Sequence, residues 1–445
     1  MMERALAGGL DRLHAVRFRA GPGGRIRSAE GLLLTAEGLE APVGALLVVE
    51  TGSGARDNQT SMTAEVVGFR DGRLLLMALG HGAVQPGAAA WLSAISPDVP
   101  AGDALLGRVT DALGRQLDGP APLRNPTRWP LAGRPLPALD RGEVDSAMPT
   151  GVRAVDALLT LGRGQRVGLI AGTGVGKSVL LQQLVRGAQA DAVVVALVGE
   201  RGREISGFLA GLGPDARART HVVAVPADAA APARVRGCLA AMASAEALRA
   251  TGRHVLLVVD SLTRAAQAQR EIGLAAGEPA GVRGYPPSAL SLIPRLVERA
   301  GNDSRTGGAI TAVMTVLADG DDTISDPVVD TARGVLDGHI VLDRAIAARG
   351  RFPAIDLAHS LSRTMPACVS ARHEAAAIAF RRELALADAH QDLVAMGAHA
   401  RGQDPAVDRA LDRRPEMEAL LQQGRDTHVP FDQSAALLIA GWGNA

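Results

Sequence analysis

The most constraining feature of the sequence is the stretch 166–184, RVGLIAGTGVGKSVLLQQL. It opens with an apolar run, Val167 to Ala171, that predicts a buried strand, and it ends in Ser178 to Leu184, which has the spacing of a helix packed on a sheet. Glycines in the turn between such a strand and helix let consecutive backbone N–H groups face a phosphate chain. The helix N-terminus adds its partial positive charge at the same place. The stretch therefore predicts a phosphate-binding loop at the edge of a sheet.

The residues of this loop have predicted parts in binding a nucleotide. We expect Lys177 to reach the β and γ phosphates and the Ser178 hydroxyl to ligate Mg²⁺. The predicted nucleotide-binding residues are Gly172, Thr173, Gly174, Val175, Gly176, Lys177, Ser178 and Val179. Ala171 stands where a first glycine is usual, so a glycine-rich turn without function is the alternative. Lys177 is also the only lysine of the chain, which indicates that a planar arginine guanidinium would not replace its compact ammonium here.

Length and composition limit the kinds of protein that this can be. A chain of 445 residues exceeds one ordinary core, so we expect two or three domains, and 47% hydrophobic against 21% charged residues is typical of a globular protein. The formal net charge of +0 and the aromatic content of 2% disfavour a nucleic-acid-binding surface. Cys238 and Cys368 lie far apart and predict neither a disulfide framework nor a zinc site, which fits a reduced cytosol. We expect no secretory signal and no membrane span.

The N-terminal part of the chain predicts a small β-barrel preceded by a helix. Residues 1–22 can form a helix with leucines on one side, which is either a frayed terminus or a segment that docks on a partner or a membrane surface. From 23 to 95, short apolar runs are separated by glycines, and Asp71-Gly72 between two of them predicts a hairpin. Strands at this spacing favour a closed barrel. Residues 96–150 are rich in proline and glycine and predict a connection over a surface.

After about residue 150 the sequence alternates between strand and helix. The strand candidates are Val167 to Ala171, Val193 to Val198, His221 to Val225, Val255 to Val259, Ala309 to Leu317 and His339 to Leu342. Helical stretches such as Ala229 to Ala250 lie between several of them, which predicts a parallel sheet covered on both faces, with ligands at the carboxyl ends of its strands. This domain is expected to span 96–365. A small helical domain is expected at 366–445, including Ser370 to Met396 and Asp404 to Gly424.

Two acidic residues follow apolar strands in this region. Glu200 comes after the run 193–199, and Asp260 comes directly after 255–259. A carboxylate at the carboxyl end of a strand beside a phosphate loop holds Mg²⁺, usually through water, and we assign that part to Asp260. A second carboxylate near the γ-phosphate can polarise the attacking water, and Glu200 is the candidate. Both could instead be surface acids that cap helices.

Several motifs follow one another in a fixed order along the chain. They are Ala171-Gly-Thr-Gly-Val-Gly-Lys-Ser, Gly199-Glu-Arg-Gly-Arg-Glu, Asp260-Ser-Leu-Thr-Arg, Gly284-Tyr-Pro-Pro-Ser, Gly320-Asp-Asp, Leu336-Asp-Gly-His-Ile-Val-Leu and Phe352-Pro-Ala-Ile-Asp. From about residue 23 to the C-terminus the chain resembles the flagellar export ATPases and their relatives in type III secretion. The wider family includes the catalytic subunits of rotary ATP synthases. The resemblance implies a multi-domain α/β protein with an N-terminal small β-barrel, a central RecA-like P-loop domain with a parallel sheet, and a C-terminal helical domain.

The resemblance also implies parts for individual residues. Ala171 looks like the export branch of the family, Glu200 matches the catalytic glutamate, and Arg201 matches a phosphate-side arginine. Phe352 stands where the family places an aromatic ring that packs on adenine, although tyrosine is more usual there. Arg363 matches the arginine that reaches the γ-phosphate of a neighbouring subunit. Core packing for Phe352 and a plain surface position for Arg363 are the alternatives.

The function implied by the resemblance is Mg²⁺-dependent ATP hydrolysis that energises protein export through the flagellar secretion apparatus. A cytoplasmic protein associated with the inner membrane is expected. Because Arg363 would act on a neighbour's nucleotide, a homohexameric ring is the expected active form. The expected partners are a stator-like regulatory protein at the N-terminal segment, export chaperones with their substrates, and a membrane export gate, but no nucleic acid.

Other functions are compatible with parts of this sequence. A virulence-type secretion ATPase is the nearest alternative, and the barrel segment 64–77 looks closer to the flagellar branch. A rotary synthase or ion-pump subunit would need a different partner subunit in alternation. A ring-shaped RNA translocase is disfavoured by the balanced charge and the lack of a basic stripe. The presence of Lys177, Glu200, Asp260 and Arg363 disfavours a regulatory homologue that only binds nucleotide.

Overall fold

The N-terminal part of the fold is a closed antiparallel barrel. The computed structural model describes residues 23–52, 61–93, 98–119, 123, 126–317, 326–396 and 399–443. The barrel strands are β1 (Gly24–Glu30), β2 (Leu33–Glu37), β3 (Leu46–Glu50), β4 (Ser61–Arg70), β5 (Arg73–Ala78) and β6 (Ala89–Leu92), paired in the order β1-β2-β5-β4-β3-β6. Alternate apolar side chains, among them Ile26, Leu47 and Leu76, fill its interior. Asp71 and Gly72 have φ angles of 51° and 72° and join β4 to β5, so the predicted hairpin is confirmed.

The proline- and glycine-rich lead-in packs on one long helix of the α/β core, Ala231–Arg249. It contributes the short strands β7 (Val99–Ala101), β8 (Val109–Thr110), β9 (Thr127–Trp129) and β10 (Arg141–Gly142). The buried carboxylate of Glu246 on that helix accepts hydrogen bonds from Trp129 Nε1 at 2.9 Å, the Arg134 backbone N–H at 3.2 Å and Arg299 Nε at 2.7 Å. Because a buried carboxylate needs such donors, these bonds fix the lead-in on the core.

A mainly parallel sheet forms the centre of the molecule. Its remaining strands are β11 (Arg166–Ala171), β12 (Ala192–Glu200), β13 (Thr220–Pro226), β14 (His254–Asp260), β15 (Gly301–Asp303), β16 (Ala309–Leu317), β17 (Gly338–Leu342) and β18 (Ile355–Ser362). Their order is β18-β17-β11-β16-β14-β12-β13-β8, with β10 and β15 off this path. Every strand predicted in this region is present. The antiparallel edge strand β18 was not predicted, because buried, partly buried and exposed side chains are mixed along it and form no apolar run.

Helices cover both faces of this sheet, as the sequence predicts. They are α1 (Arg153–Leu158), α2 (Lys177–Gly187), α3 (Gly202–Ala210), α4 (Gly213–Ala218), α5 (Ala231–Arg249), α6 (Leu262–Ala275), α7 (Pro287–Val297), α8 (Pro327–Val335), α9 (Arg344–Ala348) and α10 (Met365–Cys368). One apolar core lies on the side of α2 and includes Leu180 and Leu184, and the other lies on the side of α5 and includes Met242. Burial on both faces explains why the strands are apolar throughout and do not alternate.

Helices make up the C-terminal part of the described chain. They are α11 (Ala371–Ala395), α12 (Pro405–Asp412), α13 (Arg414–Leu421) and α14 (Phe431–Trp442). The helical stretch predicted over Asp404 to Gly424 is present as two helices: Pro415 lies in the first turn of α13, where its missing N–H suits a helix start and separates α13 from α12. Helix α14 was missed, and its Trp442 packs edge-on against Phe380 of α11 with ring centroids 4.7 Å apart. No helix within the described ranges combines the length and the apolar character needed to span a membrane.

Candidate active site

The predicted phosphate loop lies at the carboxyl end of a central strand. Strand β11 runs between β16 and β17 and ends at Ala171, and α2 begins at Lys177. Gly174 and Gly176 have φ angles of 79° and 91°, a left-handed conformation that other residues rarely adopt. A Cβ at Gly174 would meet no atom within 4 Å, so its backbone conformation and not crowding requires glycine there. Val175 between them is buried and anchors the curled loop on the core.

The other predicted loop residues face outward at the same edge of the sheet. Gly172 is partly exposed, and Thr173, Ser178 and Val179 are exposed. The backbone N–H groups of Ser178 and Val179 belong to the first turn of α2, where a helix leaves its N–H groups without partners inside the helix. This part of the loop is therefore accessible to an anionic group.

The Lys177 ammonium lies between the two acidic residues that the sequence singles out. Its Nζ donates hydrogen bonds to Asp260 Oδ1 at 2.5 Å and to Glu200 Oε1 at 3.3 Å. The side chains of Lys177 and Glu200 are each 13% exposed, and that of Asp260 is 6% exposed. These charges interact more strongly than an exposed ion pair would, because little water separates them. The fold thus brings together residues that are 23 and 83 positions apart in the sequence.

Asp260 is the last residue of β14, and a residue on the neighbouring strand also fixes its carboxylate. Thr315 Oγ1 on β16 donates to Asp260 Oδ1 at 2.7 Å. The cap of the following helix α6 is Ser261, whose hydroxyl oxygen accepts from the Arg264 backbone N–H at 3.1 Å. The alternative that Asp260 is a surface acid capping a helix is therefore wrong, and its part in holding Mg²⁺ stays a prediction.

Glu200 ends β12 after a β-bulge at Gly199. Gly199 has a φ of 73°, and a Cβ there would lie 3.1 Å from the Arg264 side chain, so only glycine suits this turn. Burial raises the pKa of Glu200, a hydrogen bond with Glu204 raises it further, and the charge of Lys177 opposes both effects. The pKa lies above the ordinary glutamate value as a result. A carboxylate with a raised pKa accepts a proton more readily near neutral pH.

The next residue, Arg201, stands at the start of helix α3 and points its charge into solvent. Its side chain is 70% exposed and forms an ion pair with Glu204 at 3.9 Å. At this distance and exposure the pair contributes little to stability, so the guanidinium is free to make other contacts. Its phosphate-side role stays a prediction.

The cleft beside the loop offers oxygen donors of the kind that Mg²⁺ prefers. Its lining residues are Ser178, Leu197, Glu200, Glu204, Ile205, Phe208 and Asp260. The polar members of this set are a hydroxyl and carboxylates, which together with water and phosphate oxygens are the hard ligands that Mg²⁺ takes. The residues present therefore fit the predicted ion, with Ser178 and Asp260 as the groups that would hold it.

A second cavity, of about 400 Å³, is bordered by the loop residues Val175 and Gly176. Phe352 forms part of its wall, is 44% exposed, and has ring atoms 3.6 Å from where a Cβ of Gly176 would lie. The other lining residues are Val175, Gly176, Val179, Leu180, Gln183, Leu342, Gly350, Pro353, Ala354, Gln422, Gln423, Gly424 and Arg425. A mainly apolar cavity beside a phosphate loop has the place and the size for a nucleobase. The exposure of Phe352 rules out a simple core position, and its contact with adenine stays a prediction.

The wall at 422–425 is the part of this cavity that sequence reasoning missed. Gln423 fixes it, because its backbone N–H donates to Phe352 O at 2.8 Å and its Nε2 donates to Gly151 O and Thr427 O, each at 2.8 Å. These residues follow α13 and reach the loop only through the packing of the C-terminal helices. No local motif marks them, since two glutamines after an apolar helix are a common surface pattern.

Arg363 lies at the opposite end of the sheet from the phosphate loop. Its backbone N–H donates to Asp337 O at 3.0 Å, and the Asp337 N–H donates to O of Arg166, the first residue of β11. The loop begins after the last residue of β11, so the length of the strand, roughly 16 Å, separates Arg363 from it. The Arg363 side chain is exposed, with Nη1 donating to Leu336 O at 3.4 Å. The structure therefore does not bring Arg363 to the site of its own chain.

Two predicted features lie outside the described residues. They are the N-terminal docking segment 1–22 and the motif Gly320-Asp321-Asp322, which follows β16. Both stay predictions.

The fold and the site together define a P-loop nucleotide-hydrolysing protein. The features that define this class are a phosphate loop between a central strand and a helix, and a lysine held by carboxylates at the ends of neighbouring strands. In the chain, a barrel precedes this domain and helices follow it. Residues 151–362 match the nucleotide-binding domain of the ATP synthase alpha/beta family, and residues 369–440 match the C-terminal domain of the type III secretion ATPase EscN. The chain belongs to the family of flagellum-specific ATP synthases and type III secretion system ATPases.

Similar proteins cover nearly the whole chain. The flagellum-specific ATP synthase of Salmonella typhimurium is 48% identical over 425 residues, which is 93% of this chain and 92% of the relative. The type 3 secretion system ATPase of Sinorhizobium fredii is 44% identical over 426 residues, 94% and 91% of the two chains. The solved structure of the assembled ATPase EscN from the enteropathogenic E. coli type III secretion system has a TM-score of 0.86 at 36% identity, and the match covers 94% of this chain and 99% of that one. The expected family and fold class are confirmed.

Proposed function

We propose that this chain is a Mg²⁺-dependent ATP hydrolase that energises protein export through a flagellar type III secretion apparatus. The observation that carries the proposal is Lys177, held between Asp260 and Glu200 at the phosphate loop, with a base-sized cavity alongside. ATP, with its triphosphate and its flat apolar base, is the ligand that such an arrangement suits. Relatives named flagellum-specific ATP synthase and type 3 secretion system ATPase support ATP-driven export.

The residues of this chain supply the parts that transfer of the γ-phosphoryl group to water requires. Lys177 and the loop N–H groups bind the phosphate oxygens and offset their negative charge. Glu200 orients the attacking water for in-line approach and accepts its proton as the new O–P bond forms, while the bond from the γ phosphorus to the bridging oxygen breaks and ADP leaves with that oxygen. Arg201, one residue further on, has a side chain that is 70% exposed and would contact a phosphate oxygen. Mg²⁺, held by Ser178 and through water by Asp260, would neutralise charge on the phosphates.

A ring of identical chains supplies the remaining positive charge. Arg363 is exposed and lies at the far end of its own sheet, so it reaches a γ-phosphate only in a neighbouring subunit. A head-to-tail ring repeats this contact at every interface. EscN, whose structure this chain resembles, is an assembled ATPase, and we propose a homohexamer as the active form.

The export role sets the partners and the place of action. Rearrangement of the ring on hydrolysis would release export substrates from their chaperones and promote their entry into a membrane export gate. A stator-like regulatory protein would bind the segment 1–22 and hold the ring at the cytoplasmic face of the inner membrane. The flagellar branch is proposed because the Salmonella typhimurium flagellar relative is 48% identical to this chain, whereas the Sinorhizobium fredii secretion ATPase is 44% identical. Because the difference between these identities is small, virulence-type secretion is kept as the alternative.

Deletion of the gene from the source bacterium tests the choice between these branches. The deletion strain is expected to stop exporting filament protein and to lose its flagella, because export would lack its energy source. Filament protein in the culture supernatant and swimming in soft agar are measured. A plasmid with the wild-type gene should restore both, and the Glu200→Gln allele should restore neither. Normal filaments together with loss of effector secretion would instead establish the virulence-type alternative.

Glu204→Gln is expected to move the acid limb of ATP hydrolysis to lower pH. Hydrolysis needs ionised Glu200, so activity is lost as the pH falls through the pKa of Glu200. Glu204 raises that pKa through a hydrogen bond and through its charge, so the substitution lowers the pKa and the loss occurs at lower pH. The measurement is kcat against pH for both proteins.

The matched control for this change is Glu271→Gln, at an exposed carboxylate that pairs with Arg234. It removes the same charge away from the cleft and should leave the pH profile unchanged. If the acid limb of Glu204→Gln stays at the wild-type pH or moves to higher pH, Glu204 does not raise the pKa of Glu200.

A further inference from the structure

We propose that Thr315 is a positioning residue that holds the Asp260 carboxylate in the orientation required for binding Mg²⁺. Thr315 belongs to none of the motifs of the sequence and lies 0% exposed in the middle of the sheet. Its hydroxyl donates to Asp260 Oδ1 at 2.7 Å, and Lys177 Nζ donates to the same oxygen at 2.5 Å. The hydrogen bonds that described residues make to this carboxylate thus meet at Oδ1, which leaves Oδ2 for a ligand.

The register of the sheet explains why Thr315 reaches Asp260. Val259 of β14 pairs with Met314 of β16, so the next residues, Asp260 and Thr315, lie side by side and point to the same face. On its other side Thr315 pairs with Leu169 of β11, and Asp260 pairs with Leu197 of β12. Threonine and aspartate are therefore the polar members of a row whose flanking members are apolar.

Packing alone does not account for a threonine in this row. Valine has nearly the same shape and would bury a methyl group where threonine buries a hydroxyl that needs a partner. The Val259 carbonyl lies 3.4 Å from this hydroxyl, but its nearer partner, at 2.7 Å, is the Asp260 carboxylate, and a hydrogen bond to a charged acceptor is both shorter and stronger than a neutral one. A group that orients a metal-binding carboxylate in this way usually has a large effect on metal affinity.

A second threonine fixes the strand that carries Thr315. The Thr263 hydroxyl, in the first turn of α6, accepts from the Leu317 N–H at 2.9 Å and donates to Leu317 O at 3.4 Å. This ties the end of β16 to the helix that follows Asp260. The Thr315 hydroxyl is thereby held at a constant place relative to the carboxylate that it contacts.

The test measures Mg²⁺-dependent binding of a fluorescent ADP derivative to the full chain, without turnover. Thr315→Val is expected to raise the Mg²⁺ concentration for half-maximal binding by about tenfold, the lower end of what loss of such an outer contact costs in metal affinity. Binding of the nucleotide in the presence of EDTA should not change. Thr315→Ser keeps the hydroxyl and should restore the wild-type Mg²⁺ dependence.

Thr311→Val is the matched control. Thr311 lies on the same strand and the same face, is also 0% exposed, and its Oγ1 is hydrogen-bonded to His254 Nε2 at 2.9 Å and accepts from the Gly164 N–H at 2.8 Å. Loss of this hydroxyl should lower the melting temperature, because it leaves buried groups unsatisfied. The Mg²⁺ concentration for half-maximal binding should stay at the wild-type value.

The outcomes separate this proposal from the proposed function on which it rests. A wild-type chain that binds the ADP derivative without any Mg²⁺ dependence, or does not bind it, would contradict the proposed function. Wild-type binding that depends on Mg²⁺, together with an unchanged Thr315→Val, would overturn only the role of Thr315. If Thr315→Val fails to fold, Thr315→Ala removes the hydroxyl without adding bulk. A raised Mg²⁺ concentration for half-maximal binding in that variant would support the role of Thr315, and an unchanged one would overturn it.

Discussion

Glu200→Gln is expected to lower the kcat of ATP hydrolysis by at least about a hundredfold, while the chain still folds and binds nucleotide. Glutamine has the shape of glutamate and can still accept the hydrogen bond that Lys177 donates at 3.3 Å. It cannot take a proton from water, so only the step that needs a base is lost. The raised pKa of Glu200 makes it a stronger base than an ordinary carboxylate, which is why a large effect is expected.

Phosphate release and affinity for a fluorescent ADP derivative are measured on the same preparations. Glu204→Gln is the matched control, since it makes the same chemical change four residues further along the chain in the same cleft and should keep its kcat at the optimal pH. A melting temperature close to wild type confirms that Glu200→Gln is folded. Turnover at the wild-type rate would remove Glu200 from the role of base.

The phosphate loop could be predicted from the sequence because its determinants are local. Strand β11, the glycines at 174 and 176 and the start of α2 follow one another within a few residues, and each acts through its own backbone conformation or burial. The strand-end positions of Glu200 and Asp260 were predictable for a similar reason: an apolar run followed by an acid marks the carboxyl end of a buried strand.

The parts that sequence reasoning missed depend on non-local contacts. Strand β18 is an edge strand of mixed burial, defined by its antiparallel pairing with β17 and not by an apolar pattern. The 422–425 wall of the base cavity is placed by Gln423, whose partners Gly151 and Phe352 are far away in the sequence. The contact between Thr315 and Asp260 depends on the register of two strands, which no motif encodes. Pairing and register are set by the whole core, so a linear pattern does not show them.

Arg363→Ala is expected to lower kcat by about 10³- to 10⁵-fold, the size of effect that loss of an arginine acting on a transferring phosphoryl group produces. The substitution should leave nucleotide binding close to wild type, because Arg363 lies at the far end of the sheet from the loop of its own chain. Specific activity of the wild-type chain should rise steeply with protein concentration as rings form. The measurements are kcat, nucleotide affinity and sedimentation of the assembled ring.

Mixing the two inactive chains distinguishes action on a neighbour from action within one chain. A Glu200→Gln chain carries an intact Arg363, and an Arg363→Ala chain carries an intact Glu200, so each interface that joins them in the right order has both groups. Random assembly of equal amounts makes about a quarter of the interfaces complete, and activity should return well above that of either chain alone. The variant Arg349→Ala, at a surface arginine that ends α9, should keep wild-type activity. Two results would contradict the action of Arg363 across the interface, and with it the need for a ring. One is that mixed rings show no activity. The other is that an Arg363→Ala chain hydrolyses ATP at the wild-type rate at every concentration.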